Sequence, residues 1–255
     1  MADNKPTFHH MNVGLQPHSH LRLKNTNSQP QNSQSQRIFW LLEELSIPYD
    51  LVLHYRNPLN DPKAPFRSPP SLLATGPYGK APLLITGAKD GNRYIPESAA
   101  IATYLIRTFD TEDKFGLKNG DWIRDEILVS MNLTNLTRAT GMMLYLDFNA
   151  IKKGDGPGGK RFDGPELRSI LGDLERELKE GSPGGFFMGK EPGRADIMLE
   201  FPMSMIKHRK WVDLKSEFPE LDKWLERVYG REAWKRGLQK GNGYDLSVFP
   251  QKPHL

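Results

Sequence analysis

An α/β domain followed by an all-helical domain is the fold class this sequence predicts, and three observations predict it. Two short apolar runs, Leu83-Leu84-Ile85 and Tyr94-Ile95, flank the turn-forming stretch Gly87 to Asn92, the pattern of a β-hairpin. Upstream, Ile38, Leu41, Leu42 and Leu45 fall at i, i+3, i+4 and i+7, the apolar stripe of an amphipathic helix. Beyond residue 120 the periodic segments read as helices only.

Residues 1–20 are polar and without periodicity, and read as a flexible tail. Their histidines, His9, His10, His18 and His20, lack the helical spacing and carboxylate partners of a metal site. A weak alternation at Leu21–Lys24 suggests the first strand. A polar loop follows, in which Asn-Ser-Gln occurs at 27–29 and again at 32–34. The helix Ile38–Leu45, the strand Tyr49–Tyr55, a proline-rich irregular stretch, the hairpin and a helix opening at Ser98 complete the first domain. That order, over residues 21–109, is the order of a thioredoxin-like domain.

A charged linker, 110–119, leads into the helical domain, 120–255. One long helix is expected from Trp122 to about Met143, an exposed glycine-rich loop at 149–164, and a helix at Pro165–Glu180 with proline in its first turn. A central helix begins at Ala195, apolar on nearly all sides, with Pro202 expected to kink it or close its first turn. Pro219–Val228 and Glu232–Lys240 are shorter helices.

The chain has 255 residues, a net charge of +4 and no cysteine. Without cysteine there is no disulfide framework, no thiolate metal site and no cysteine nucleophile. Thiol chemistry therefore requires a bound small molecule. The dense basic stretches, Lys207–Lys210 and Lys235-Arg236, come without a nucleic-acid motif and read as solvated helix faces. No His-Glu-x-x-His motif is present, so neither a metal nor metal-dependent hydrolysis is expected. No apolar run is long enough to span a bilayer and the start lacks a secretory pattern, so no membrane partner and a cytoplasmic location are the expectations.

Lys80-Ala81-Pro82, then strand, turn, strand and Glu97-Ser98, resembles the N-terminal half of the glutathione S-transferases, and the resemblance extends over about residues 20 to 240. It implies the transferase fold, glutathione as substrate or cosubstrate, and a homodimer. It also implies a cis Pro82, with Ala81 offering its backbone to the cysteinyl unit and Glu97 and Ser98 holding the γ-glutamyl end. Lys80 is a candidate for the glycine carboxylate, or a plain solvated lysine. Family members activate the thiol with tyrosine, serine or cysteine after the first strand. Cysteine is absent and the first tyrosine is Tyr49, so serine is implied here. Serine-type members place it four residues before an arginine that opens the first helix, which is Ser33 ahead of Arg37. Ser28, in the other copy of the repeat, and Ser35 remain alternatives, as does the Asn32 amide. The plainer role for this serine-rich turn is a helix N-cap.

The family also carries a buried capping box with Ser or Thr three residues before an aspartate. Here Asp196 is preceded by Gly193, so the hydroxyl is missing. The second substrate is expected against the long helix, with Met131, Asn132, Asn135 and Met142 as candidates, although methionine fills cores equally well. The implied activity is conjugation of glutathione to an apolar electrophile, in detoxification or specialised metabolism. The alternatives are a glutathione-dependent cis-trans isomerase and a non-catalytic glutathione-binding or dimerisation module.

Overall fold

A computed structural model of the protein describes residues 5–12, 34–55, 68–147, 165–241 and 246. Residues 1–105 with 232–253 make one compact unit, and residues 106–231 with the last two make another. The first contains a four-stranded mixed sheet in the order β2-β1-β3-β4. Its strands are β1 (Thr7–Asn12), β2 (Asp50–Tyr55), β3 (Leu83–Ile85) and β4 (Tyr94–Pro96). β1 pairs parallel with β2 and antiparallel with β3, and β3 pairs antiparallel with β4. The helices here are α1 (Ser35–Leu45), the short α2 (Pro70–Leu73) and α3 (Ser98–Phe109), whose last turn passes into the second unit.

The first strand corrects the expected flexible tail. Residues 7–12, inside that tail, form β1, an interior strand of the sheet, whereas Leu21–Lys24 lies outside the described residues. Two histidines disguised it. Phe8 packs edge-on against Phe39 of α1, with ring centroids 5.0 Å apart. His9 is buried as well, and its Nδ1 lies 2.9 Å from Nε2 of the buried His54. A paired, neutral imidazole can sit where a strand alternation would otherwise call for an apolar residue.

That burial has a pH signature. Burial, and after it the neighbouring His54 ring, lower the His9 imidazole from 6.5 to about 4, and burial lowers His54 too. The unfolded chain therefore takes up protons first as pH falls. The contribution is fully present above pH 6.5 and is lost progressively down to about pH 4. Denaturant titrations should show about 2 kcal/mol of stability lost over this window, allowing for partial solvent screening. A His9→Asn/His54→Gln double variant should show a shallower slope over the same range.

The final helix, α10 (Glu232–Lys240), was expected with the helical domain but packs on α1. Gly237 permits it, since a Cβ there would stand 3.0 Å from the Phe39 carbonyl carbon and the Trp40 nitrogen. The buried Glu43 carboxylate then clamps the pair, accepting from Tyr49 Oη at 3.1 Å, Arg236 Nε at 3.2 Å, and the Lys240 ammonium. Burial raises the Glu43 pKa, but the Lys240 and Arg236 hydrogen bonds outweigh it and hold the carboxyl below its ordinary value.

The second unit is helical, with α4 (Trp122–Met131), α5 (Thr137–Asp147), α6 (Pro165–Gly181), α7 (Arg194–Arg209), α8 (Leu214–Glu217) and α9 (Pro219–Gly230). The expected linker is an ordered double turn. The Asp110 carboxylate accepts from the Lys114 and Phe115 N–H groups at 2.9 and 2.8 Å, and Asp113 does the same for Lys118 and Asn119. The expected single helix from Trp122 is interrupted between α4 and α5 by a π turn, Asn132–Leu136. The expected loop at 149–164 lies outside the described residues. α7 is central, buried from Arg194 through Ile206, with Pro202 inside it rather than in its first turn. The basic stretches are largely ion-paired: Lys207 with Asp222 and Glu226, Arg209 with Asp147, Lys235 with Glu232.

Candidate functional site

The antiparallel register of β3 and β4 matches Leu83 with Pro96. Pro82 and Glu97, the next residues outward, therefore sit at adjoining ends of two paired strands. The Ala81–Pro82 bond is cis, Pro82 is buried, Ala81 is half-buried and Lys80 is exposed. The hairpin behind them is braced. Thr86 exchanges backbone and side-chain bonds with Arg93, its N–H donating at 2.9 Å and its Oγ1 accepting at 2.8 Å. Tyr104 of α3 donates to Asp90 at 2.7 Å.

Glu97 adopts φ 67°, a left-handed conformation that costs a non-glycine residue about 1 kcal/mol. Its carbonyl accepts the first α3 bond, from the Ile101 N–H at 2.9 Å, so Glu97 occupies the N-cap position and buried Ser98 opens the helix. The exposed Glu97 carboxylate thus belongs to the residue that immediately precedes the N–H groups of the first turn. One suits an ammonium group, the other a carboxylate. Together they match an amino acid end that carries both charges.

Of the thiol-activating candidates, Ser28, Asn32 and Ser33 lie outside the described residues. Ser35 is buried as the first residue of α1, and Gln34 takes the N-cap position, its side-chain oxygen accepting from the Arg37 guanidinium rather than from a backbone N–H of the first turn. No described serine therefore performs the N-cap role weighed for this turn. Among the second-substrate candidates, Met131 and Met142 are half-buried and Asn135 is exposed. Asn132 is wholly buried, and its Nδ2 donates to the Met198 carbonyl at 2.7 Å. It holds α7 and offers no surface to a ligand. Among the described residues no group of three or more His, Cys, Asp or Glu could hold a metal ion.

Comparison with known proteins bears on the same residues. The model of the glutathione S-transferase N-terminal domain matches residues 33–108, and that of the C-terminal domain matches 164–232. Glutathione S-transferase 3 of Schizosaccharomyces pombe is 39% identical over 238 residues, covering 86% of this chain and 88% of its own. The chain belongs to the glutathione S-transferase family. Glutathione S-transferase 1 of Saccharomyces cerevisiae is 25% identical over 225 residues, covering 82% of this chain and 92% of its own. In fold, the chain resembles the glutathione transferase URE2P6 of Phanerochaete chrysosporium, solved in complex with oxidized glutathione. The TM-score is 0.67 at 18% identity, over 94% of this chain and 98% of that one.

The family's aspartate, Asp196, is in place. Its Oδ2 accepts from the Gly193 N–H at 2.9 Å, and its Oδ1 from the Phe187 N–H at 2.8 Å and Trp224 Nε1 at 2.7 Å. The missing hydroxyl has a steric reason, since a Cβ on Gly193 would fall 2.6 Å from Met188 Cβ. Two features escaped the sequence reading. The chain His9–His54–Ser71 has its only signal in the period-2 spacing around Phe8, and the Glu43 clamp has none, because its cations lie in α10.

Proposed function

We propose that this glutathione S-transferase binds glutathione along β3 and the start of α3, and activates its thiol for attack on an apolar electrophile. The observation that carries the reading is the Pro82–Glu97 adjacency, with Ser98 at the helix start. The Ala81 backbone would receive the cysteinyl unit. The Glu97 carboxylate would take the γ-glutamyl ammonium, and the α3 N–H groups with Ser98 its carboxylate. Lys80 stands exposed beside them for the glycine carboxylate. We assign thiol activation to Ser33, whose hydroxyl would donate to the sulfur and favour the thiolate. The thiol proton passes to solvent, a sulfur lone pair forms the S–C bond, and the bond from that carbon to the leaving group breaks with its electron pair going to the leaving group.

The test is a pH titration of the thiolate ultraviolet band of glutathione bound to the intact protein. With no cysteine in the chain, the thiolate signal belongs to the ligand. The bound thiol pKa should fall about 2 units below its free value, and Ser33→Ala should restore it. A shift that survives Ser33→Ala but disappears in Ser28→Ala moves the role to the other repeat. Binding with no shift overturns the catalytic reading and leaves a binding module. Product analysis with a conjugated cis-alkene separates isomerisation, which returns free glutathione, from conjugation, which consumes it.

A further inference from the structure

We propose that His9, His54 and Ser71 form a positioning chain for glutathione, anchoring α2 to the sheet and through α2 setting the Gly79–Ala81 backbone. This rests on the reading that Ala81 receives the peptide. His9 Nδ1 and His54 Nε2 are 2.9 Å apart, and His54 Nδ1 lies 3.1 Å from Ser71 Oγ at the start of α2. Both rings are buried and nearly parallel, with centroids 5.2 Å apart and planes 21° from one another.

The chain ends near the site at both of its extremities. His9 stands directly opposite Leu83 in the β1–β3 register, and Leu83 follows Pro82. At the far end, α2 has only four residues and cannot sustain itself by its own hydrogen bonds. The wholly buried Leu72 and the Ser71–His54 bond fix it to the sheet. Gly79, at φ 54°, packs so closely on α2 that a Cβ would come within 2.5 Å of Leu73 Cδ2. A shift of α2 is therefore transmitted to Gly79, and from there along the backbone to Lys80 and Ala81.

The relay needs uncharged rings. With one proton on each imidazole and matched tautomers, a single N–H lies on the line between them, and the outer His54 nitrogen is left to meet the Ser71 hydroxyl. Burial lowers both pKa values and so favours this state.

The experiment measures glutathione affinity by titration calorimetry, and KM for glutathione and kcat with 1-chloro-2,4-dinitrobenzene as the probe electrophile. Ser71 is exposed, so Ser71→Ala leaves the core intact. It should raise Kd and KM for glutathione about fivefold, the worth of one ordinary hydrogen bond, with kcat unchanged. Ser71→Thr should restore both. At position 54, asparagine places an amide nitrogen where Nδ1 stands and glutamine where Nε2 stands. His54→Asn keeps the Ser71 bond and loses the one to His9, so it should weaken affinity about half as much on a logarithmic scale as Ser71→Ala, and His54→Gln should behave like Ser71→Ala. Wild-type affinity in Ser71→Ala, or a fall in kcat at constant KM, overturns the positioning chain and leaves the binding site standing. A wild-type protein that binds no glutathione overturns both.

Discussion

Replacing Asp196 by alanine should cost on the order of 4 kcal/mol of stability, because several buried N–H donors, three of them within 2.9 Å, lose their acceptor at once. The carboxylate is wholly buried and joins three separate pieces of chain. These are the Gly193 N–H at the start of α7, the Phe187 N–H in the preceding turn, and the Trp224 indole of α9. Each unsatisfied donor is worth about 1–3 kcal/mol. Water does not readily replace the acceptor, since Trp224, Phe187 and Ile197 around it are also fully buried. Trp224→Phe removes one donor together with its bond, keeps most of the ring, and should cost only about 1 kcal/mol. Urea denaturation of both variants checks the contrast. An Asp196→Ala penalty as small as that of Trp224→Phe would mean the site is hydrated and the three bonds are not what fixes α7.

The same residues show what the sequence made legible. A glycine where the family has a hydroxyl reads as a weakened helix start. The structure explains it through Met188, whose side chain occupies the space a Cβ would need. Steric exclusion between residues five apart in an irregular turn leaves no periodic trace. Local patterns were readable: α1, the β3–β4 hairpin and α10 follow from spacing and turn chemistry. Partnerships were not. Arg236 looks like part of a solvated basic face until Glu43 is placed beneath it. His9 looks like part of a polar tail until His54 supplies its partner. In each case a polar residue is interior because a distant residue satisfies it, and only the fold brings the two together.

The Asn132 amide N–H is a further instance, and it carries the second large effect expected of this protein. Pro202, inside α7, has no N–H to give the carbonyl four residues before it, which is Met198. The Asn132 amide donates to that carbonyl at 2.7 Å from the neighbouring helix. Asn132 opens the π turn, where the Thr137 N–H reaches back five residues to the Asn132 carbonyl. Such a wide turn changes the direction in which its first side chain points. The irregularity in one helix thus offsets the missing donor in the other. Asn132→Ala should cost about 2 kcal/mol, part lost bond and part lost packing. Pro202→Ala gives α7 back a backbone donor for Met198, so in that background Asn132→Ala should cost about 1 kcal/mol less. The double-mutant cycle, read by urea denaturation, tests the pairing. Strict additivity would show that the amide and the proline are neighbours without a shared task, and that the π turn has some other origin.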